Sequence, residues 1–243
     1  MSTTTQTPAP APSAPVAAAP RKIDWGVVLV EGRALIGLIV IIAVFTALSP
    51  NFLKFDNLLL MTRHVAMNAL LALGMLLVIL RGGIDLSVGS IVGLSGVMAG
   101  YLLKGAHIPF TDVTAFPPVW VIVIISLLVG ALVGWVNGIL VTRFNVAPFI
   151  ATLGMLYVAR GIALLMTDGV PITDELRGND KIGNTGFITV LASAPLGVPM
   201  PVWVMVVFAI AASVLLTRTP FGRWLYAMGG NLRAANLSGV PTK

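Results

Sequence analysis

Cysteine is absent from all 243 residues, which removes disulfides, thiolate catalysis and cysteine-ligated zinc or iron–sulfur centres. Charge is scarce as well. Asp, Glu, Lys and Arg make up 10% of the chain, against about a quarter in an ordinary soluble domain. Histidine is confined to His64 and His107. Neither has a second ligand at metal-binding spacing, so loop polarity or snorkelling is the ordinary role for each, and no metal site is expected. A Gly-x-x-x-x-Gly-Lys-Ser/Thr phosphate loop is missing, so ATP bound or hydrolysed in this protein's service sits on another polypeptide. A Gly-x-Ser-x-Gly elbow, a Ser–His pair within the apolar segments and paired membrane carboxylates are missing too. These gaps argue against an intramembrane enzyme and leave no cofactor to expect.

What is abundant is apolar: hydrophobic residues are 57% of the chain, with a mean hydropathy of +0.97. Such a composition belongs to an all-α, polytopic helical membrane protein embedded in a lipid bilayer. Hydropathy breaks place six apolar segments at about 34–50, 62–80, 84–103, 119–141, 146–166 and 201–217, most of them near the ~20 residues that a span needs. Before them lie 20 residues with Pro8, Pro10, Pro12, Pro15 and Pro20 and no charged side chain, a composition that cannot build a core. Arg21 and Lys22 come too late for a secretory signal.

The net charge of +6 is better assigned to basic loops facing anionic lipid and partner proteins than to nucleic acid. With the N-terminus inside, the cytosolic segments hold Arg21, Lys22, Arg33, Arg81, Arg143, Arg218, Arg223, Arg233 and Lys243. The outer segments hold only Lys54, Arg63, Lys104, Arg177 and Lys181, and that bias favours a cytosolic N-terminus. The outer segment from about 167 to 200 carries Asp168, Asp174, Glu175 and Asp180 among glycines and prolines. It is expected to be a polar loop with at most a short surface helix, either plainly solvated or a docking surface for a soluble partner.

One stretch stands apart. Gly82-Gly83-Ile84-Asp85-Leu86-Ser87 separates two apolar runs; adjacent glycines resist continuous helix, and a carboxylate near bilayer depth must be solvated or paired. An interrupted helix at Gly82-Gly83 lining a polar pathway is one account, and a tight turn with Asp85 capping the next helix is the other. Behind it, Gly89, Gly93, Gly96 and Gly100 share one helical face, and Gly130, Gly134 and Gly138 repeat the device, as expected for close helix packing. Asp85, Ser87, Asn68, Asn137, Thr152 and Arg160 are the candidate pathway residues. Arg160 lies within a span and needs a partner or water. Thr152 and Arg160, eight apart, share a face. Asn68 and Asn137 can serve equally as bonds between helices. Near the end, Asn231 can cap a helix of about two turns that Gly239 terminates and Pro241 keeps from continuing.

Three runs carry a family resemblance: GGIDLSVGSIVGLSGVMAG from Gly82, NVAPFIATLGMLYVARG from Asn145, and the glycine- and asparagine-rich stretch from Tyr226 to Pro241. In this order and spacing they resemble permease subunits of ribose- and xylose-type bacterial ABC sugar importers. The resemblance implies a transmembrane permease domain at 23–217 and a cytosolic coupling segment at 218–243; the Pro/Ala-rich cytosolic leader at 1–22 lies outside the match and is expected from its composition to be disordered. It implies ATP-driven import of a monosaccharide or polyol across the inner membrane. The partners it brings are an ABC ATPase subunit, a periplasmic sugar-binding protein and a second permease subunit, as a homodimer. By the same resemblance Gly229, Gly230, Asn231, Ala234, Ala235, Leu237, Ser238 and Gly239 engage the ATPase. Members of that family continue beyond this motif with further spans, so the pathway is expected to be incomplete here. Apart from the resemblance, broken helices and a midspan charge fit a secondary transporter or channel for a small polar solute.

Overall fold

The computed structural model describes residues 32–107, 114–176, 179–191 and 193–242. The Pro/Ala leader, Arg21, Lys22, Arg177 and Lys243 lie outside the described residues. The chain divides at Lys54 into two units. The first holds α1 (Arg33–Leu48), an apolar helix with no buried residue. Within this unit Phe45 stacks on Phe52 at 5.6 Å.

The second unit holds the long helices α2 (Phe55–Leu80), α3 (Val88–Lys104), α4 (Val119–Thr142) and α5 (Pro148–Thr167). Two short helices follow, α6 (Thr173–Leu176) and α7 (Phe187–Leu191), then α8 (Met200–Arg218), α9 (Pro220–Gly230) and α10 (Leu232–Leu237). Between α3 and α4 a two-residue antiparallel pair, β1 (Ala106–His107) with β2 (Thr114–Ala115), closes a hairpin that hydropathy did not reveal. Helices α2, α4, α5 and α8 are long and apolar enough to cross a membrane, while α1 and α3 are shorter apolar helices.

Local chemistry sets the boundaries. Pro148 opens α5, where a missing N–H costs nothing because no partner would exist for it. Helix α2 begins seven residues before the expected 62, since Asp56 and Asn57 are helical although polar; hydropathy sees the hydrocarbon-facing part of a helix, not its polar end. Helix α3 begins at Val88 rather than 84, so Ile84–Ser87 is irregular backbone. Asn231 caps α10, its Oδ1 accepting from the Ala234 N–H at 3.1 Å, and Gly239 follows with φ +80°.

Helix α3 packs along both α4 and α5, and α2 packs along α8 and α9. The core gathers at the end of the bundle where α3 stops: Leu102, Leu103, Ile122 and Ile182 are buried together, against Met98, Ile125, Leu176 and Phe187. The segment after α5 is therefore more than the polar loop its acidic residues suggested. Ile182 and Thr185 are buried, Ile172 lies against Gly100, and the side-chain amide of Asn179 donates to the Lys104 carbonyl at 3.3 Å. Elsewhere the long helices present large apolar side chains outward, among them Leu127, Leu128 and Trp135 on α4, Leu165 on α5 and Val207 on α8. Outward apolar faces are what helices surrounded by hydrocarbon or by neighbouring helices carry.

The glycine faces divide. A side chain at Gly100 would press on Ile172, and one at Gly130 on Ser95. Beside Gly89, Gly93, Gly96, Gly134 and Gly138 there is open space. Close packing within this chain thus accounts for two of these seven glycines.

Candidate functional site

The double glycine terminates α2 by a specific device. Gly82 has φ +83°, a left-handed conformation that only glycine adopts without penalty. Its N–H donates to the Ile79 carbonyl at 2.8 Å, and the Gly83 N–H donates to the Val78 carbonyl at 3.0 Å. This pair of reverse bonds is the Schellman motif, which satisfies carbonyls that a helix end otherwise leaves bare. The chain then runs as irregular backbone to Ser87, and its polar groups find partners on three different elements.

Asp85 Oδ1 accepts from the Ser87 N–H at 2.8 Å and from the Ser87 hydroxyl at 2.6 Å. It does not cap α3 through the amides of the first turn, as one sequence account had it; it closes an Asx turn just before the helix. Ser87, fully buried, in turn accepts from Asn137 Nδ2 on α4 at 2.9 Å. From α5, Thr152 Oγ1 accepts the Leu86 N–H at 3.2 Å and donates to the Pro148 carbonyl at 2.8 Å. Asn137 and Thr152 are 6% and 4% exposed. Four of the six candidate pathway residues therefore come together, Asp85, Ser87, Asn137 and Thr152, and they bind the Ile84–Ser87 link to both α4 and α5.

The network is not saturated. Asn137 Oδ1 is buried with no hydrogen-bond partner, and a bare buried acceptor costs about 1–3 kcal/mol. Beside it lies a cavity of about 460 Å³ whose lining includes Asp85, Asn137, Thr152, Arg81 and Gly138, with Val78, Val141, Phe221, Leu225 and Leu232 as apolar wall. That volume is within the usual range for a small-molecule site.

The other two candidates stand elsewhere. Asn68 is on an exposed face of α2. Arg160 is exposed on α5 and lines a separate cavity of about 330 Å³ with Leu86, Gly89, Ser90, Gly93 and Leu156. Thr152 and Arg160 do lie on α5 eight residues apart, yet the first faces the buried network and the second the open glycine face of α3.

What the sequence left unseen is α9. Thr219 is its N-cap, accepting from the Gly222 N–H at 3.3 Å, with Pro220 at the first position. A Thr-Pro pair is a legible helix start, but Gly222, Gly229 and Gly230 hid it by suggesting loop. Gly222 and Gly229 have structural reasons. A Cβ on Gly222 would collide with the Leu216 backbone, and a Cβ on Gly229 with the Leu80 carbonyl. Helix α9 thus crosses the last turn of α2 at backbone distance, immediately before the Gly82 turn. A second tie joins the same two regions: Arg81 donates to the Thr242 carbonyl at 3.1 Å.

Comparison with known proteins places the chain in a family. The family model described as the permease component of branched-chain amino acid transport systems matches residues 57–243. The ribose import permease protein RbsC of Haemophilus influenzae is 38% identical over 212 residues, which cover 87% of this chain and 61% of the relative. The protein of that name from Escherichia coli is 41% identical over 213 residues, covering 87% and 62%. From Bacillus subtilis it is 40% identical over 222 residues, covering 90% and 63%. The chain thus spans a little over three fifths of the length of these relatives. No solved structure matches it.

Proposed function

The chain belongs to the family of permease components of branched-chain amino acid transport systems, and from that premise we propose that it is the membrane subunit of an ATP-driven importer for a monosaccharide or related polyol. It is a multi-pass inner-membrane protein of a transport system, not an enzyme. Its N-terminus lies in the cytosol, an ABC ATPase subunit drives it, a periplasmic binding protein delivers the sugar, and a second copy completes the passage. The similarity to ribose permeases supports the substrate class.

The observation that carries the reading is the crossing of α9 over α2. In the pair α9 and α10, cytosolic by the basic-residue bias, α9 touches the Leu80 carbonyl through Gly229, and both helices line the cavity that Asp85, Asn137 and Thr152 also line. Force applied to α10 by a closing ATPase has a short, packed route to the Ile84–Ser87 link. A coupling of this kind needs contacts that differ between two membrane conformations, and a partly satisfied hydrogen-bond network is easier to rearrange than a close-packed apolar one. Gly229, Gly230, Asn231, Ala234, Ala235, Leu237, Ser238 and Gly239 are the ATPase-coupling residues. Asp85, Ser87, Asn137 and Thr152 govern the pathway at this end. Arg160 and the open face of Gly89, Gly93 and Gly96 meet the solute or the second copy farther along, and Asn68 meets a neighbouring chain.

The test is uptake by the full-length protein reconstituted with its ATPase and binding protein. D-ribose should enter on addition of ATP, and L-leucine should not. Gly230→Pro removes a helical N–H and wedges the last turn of α9, and should abolish uptake while membrane insertion persists. Gly230→Ala, where a Cβ meets nothing within 4 Å, should leave uptake intact. Uptake driven by a proton or sodium gradient without any ATPase would make the protein a secondary transporter instead.

A further inference from the structure

We propose that the cavity beside Asn137 is a binding stop for a neutral polyhydroxyl solute, held at the α9–α10 end of the fold by acceptor oxygens and an apolar wall. The inference deepens the importer reading and rests on it for the identity of the solute, but not for the existence of the site. Three observations carry it.

Beside the guanidinium of Arg81, which gives one N–H to the Thr242 carbonyl, the polar groups that the cavity offers are acceptors. Asn137 is nine-tenths buried and its Oδ1 has no partner. Asp85 spends Oδ1 on Ser87, which leaves the second carboxylate oxygen to accept. Thr152 commits its proton to a backbone carbonyl and one lone pair to the Leu86 N–H, leaving one lone pair to accept. A ligand must therefore bring donors for these oxygens and an acceptor for Arg81, and hydroxyl groups supply both without bringing charge. An anion would meet Arg81 but also Asp85 and the bare amide oxygen, so a neutral ligand fits the mixed lining best.

The remaining lining is aliphatic and aromatic. Val78, Val141, Leu225 and Phe221 suit the C–H face of a sugar ring, while one edge of the ring meets the oxygens; most small-molecule sites combine the two in this way. About 460 Å³ accommodates a single monosaccharide with some water.

Finally, the site spans the moving parts. Its wall draws on the α2–α3 link, on α4 and α5, and on α9 and α10. A solute here is held only while these elements keep their present spacing, so displacement of α9 and α10 empties the site.

Gly138 supplies the means to test this. It lines the cavity, and a Cβ there meets nothing within 4 Å, so Gly138→Leu starts into open space and takes up part of it. The full-length protein in lipid nanodiscs is titrated with D-ribose, followed by saturation-transfer NMR, and its melting temperature is measured alongside. The expected result is millimolar-range binding that weakens by roughly tenfold or more in Gly138→Leu, with no loss of melting temperature. Asn137→Leu should weaken it as well, and this variant serves as the second arm if the first fails to fold. Binding equal to wild type in both variants overturns the proposal. So does the failure of D-ribose and a panel of aldopentoses and aldohexoses to bind, or displacement of bound sugar by a simple diamine at lower concentration, which would mark a cation site. The two readings separate cleanly. ATP-dependent uptake with Gly138-insensitive binding sinks the site and spares the importer. Gly138-sensitive binding with ATP-independent uptake does the reverse.

Discussion

The two ends of the helix bundle are closed by different forces. At one, Leu102, Leu103, Ile122 and Ile182 pack as an apolar core and the segment after α5 folds over them. At the other, Asp85, Ser87, Asn137 and Thr152 hold the α2–α3 link by hydrogen bonds next to open volume. Apolar packing is non-directional and resists being opened. A hydrogen-bonded link is directional, and its bonds can be exchanged for those of water or a ligand at small net cost. The core end is built to stay as it is, and the polar end to change partners.

The sharpest way to break this contrast is at Gly229. Gly229→Val drives a branched side chain into the Leu80 carbonyl, so α9 must leave α2; a loss of more than about 3 kcal/mol is expected, with uptake at background. A thermal unfolding curve like that of wild type would mean that the crossing is not held as described. Leu103→Ala comes next, at about 3 kcal/mol for a fully buried leucine. It should lower the melting temperature but leave the ratio of sugar moved to ATP hydrolysed unchanged, because the core end takes no part in coupling. Ser87→Ala removes the central member of the polar network and strands the Asn137 amide, at about 2 kcal/mol. Here the coupling ratio should fall as well, and a stability loss with an unaltered ratio would erase the distinction between the ends. Asn231→Ala deletes the α10 cap at about 1 kcal/mol, read out as weaker ATPase co-purification. Smallest is Gly138→Ala, which should stabilise by about 0.5–1 kcal/mol, since an interior helical glycine with free space gains from a methyl group.

How much of this was legible beforehand follows from the range of each interaction. Hydropathy located the long helices because bilayer burial acts residue by residue. The Asn231 cap and the Gly239 stop were legible because capping is complete within a few positions. The turn at Gly82-Gly83 was recognisable as a break, but its partition into a Schellman end and an Asx turn depends on φ values that two glycines leave open. That Ser87 meets Asn137, fifty residues away, is a tertiary fact with no local trace. The same limit applies to the separation of Arg160 from Thr152: sharing a helical face did not tell which neighbour each would meet. Helix α9 was missed for another reason. Gly222 and Gly229 gave no helical signal because their purpose, close approach to Leu216 and Leu80, lies outside the helix.

Gly222, Leu225 and Gly229 fall on one side of α9, three and then four residues apart, the outer two pressed on backbone and the middle one buried. A shaft notched twice along the same line cannot spin in its seat without one notch leaving its ridge. Torque reaching α9 from α10 is thereby converted into tilt or sliding of the whole rod, and Leu80, the ridge under the second notch, is the point that must follow.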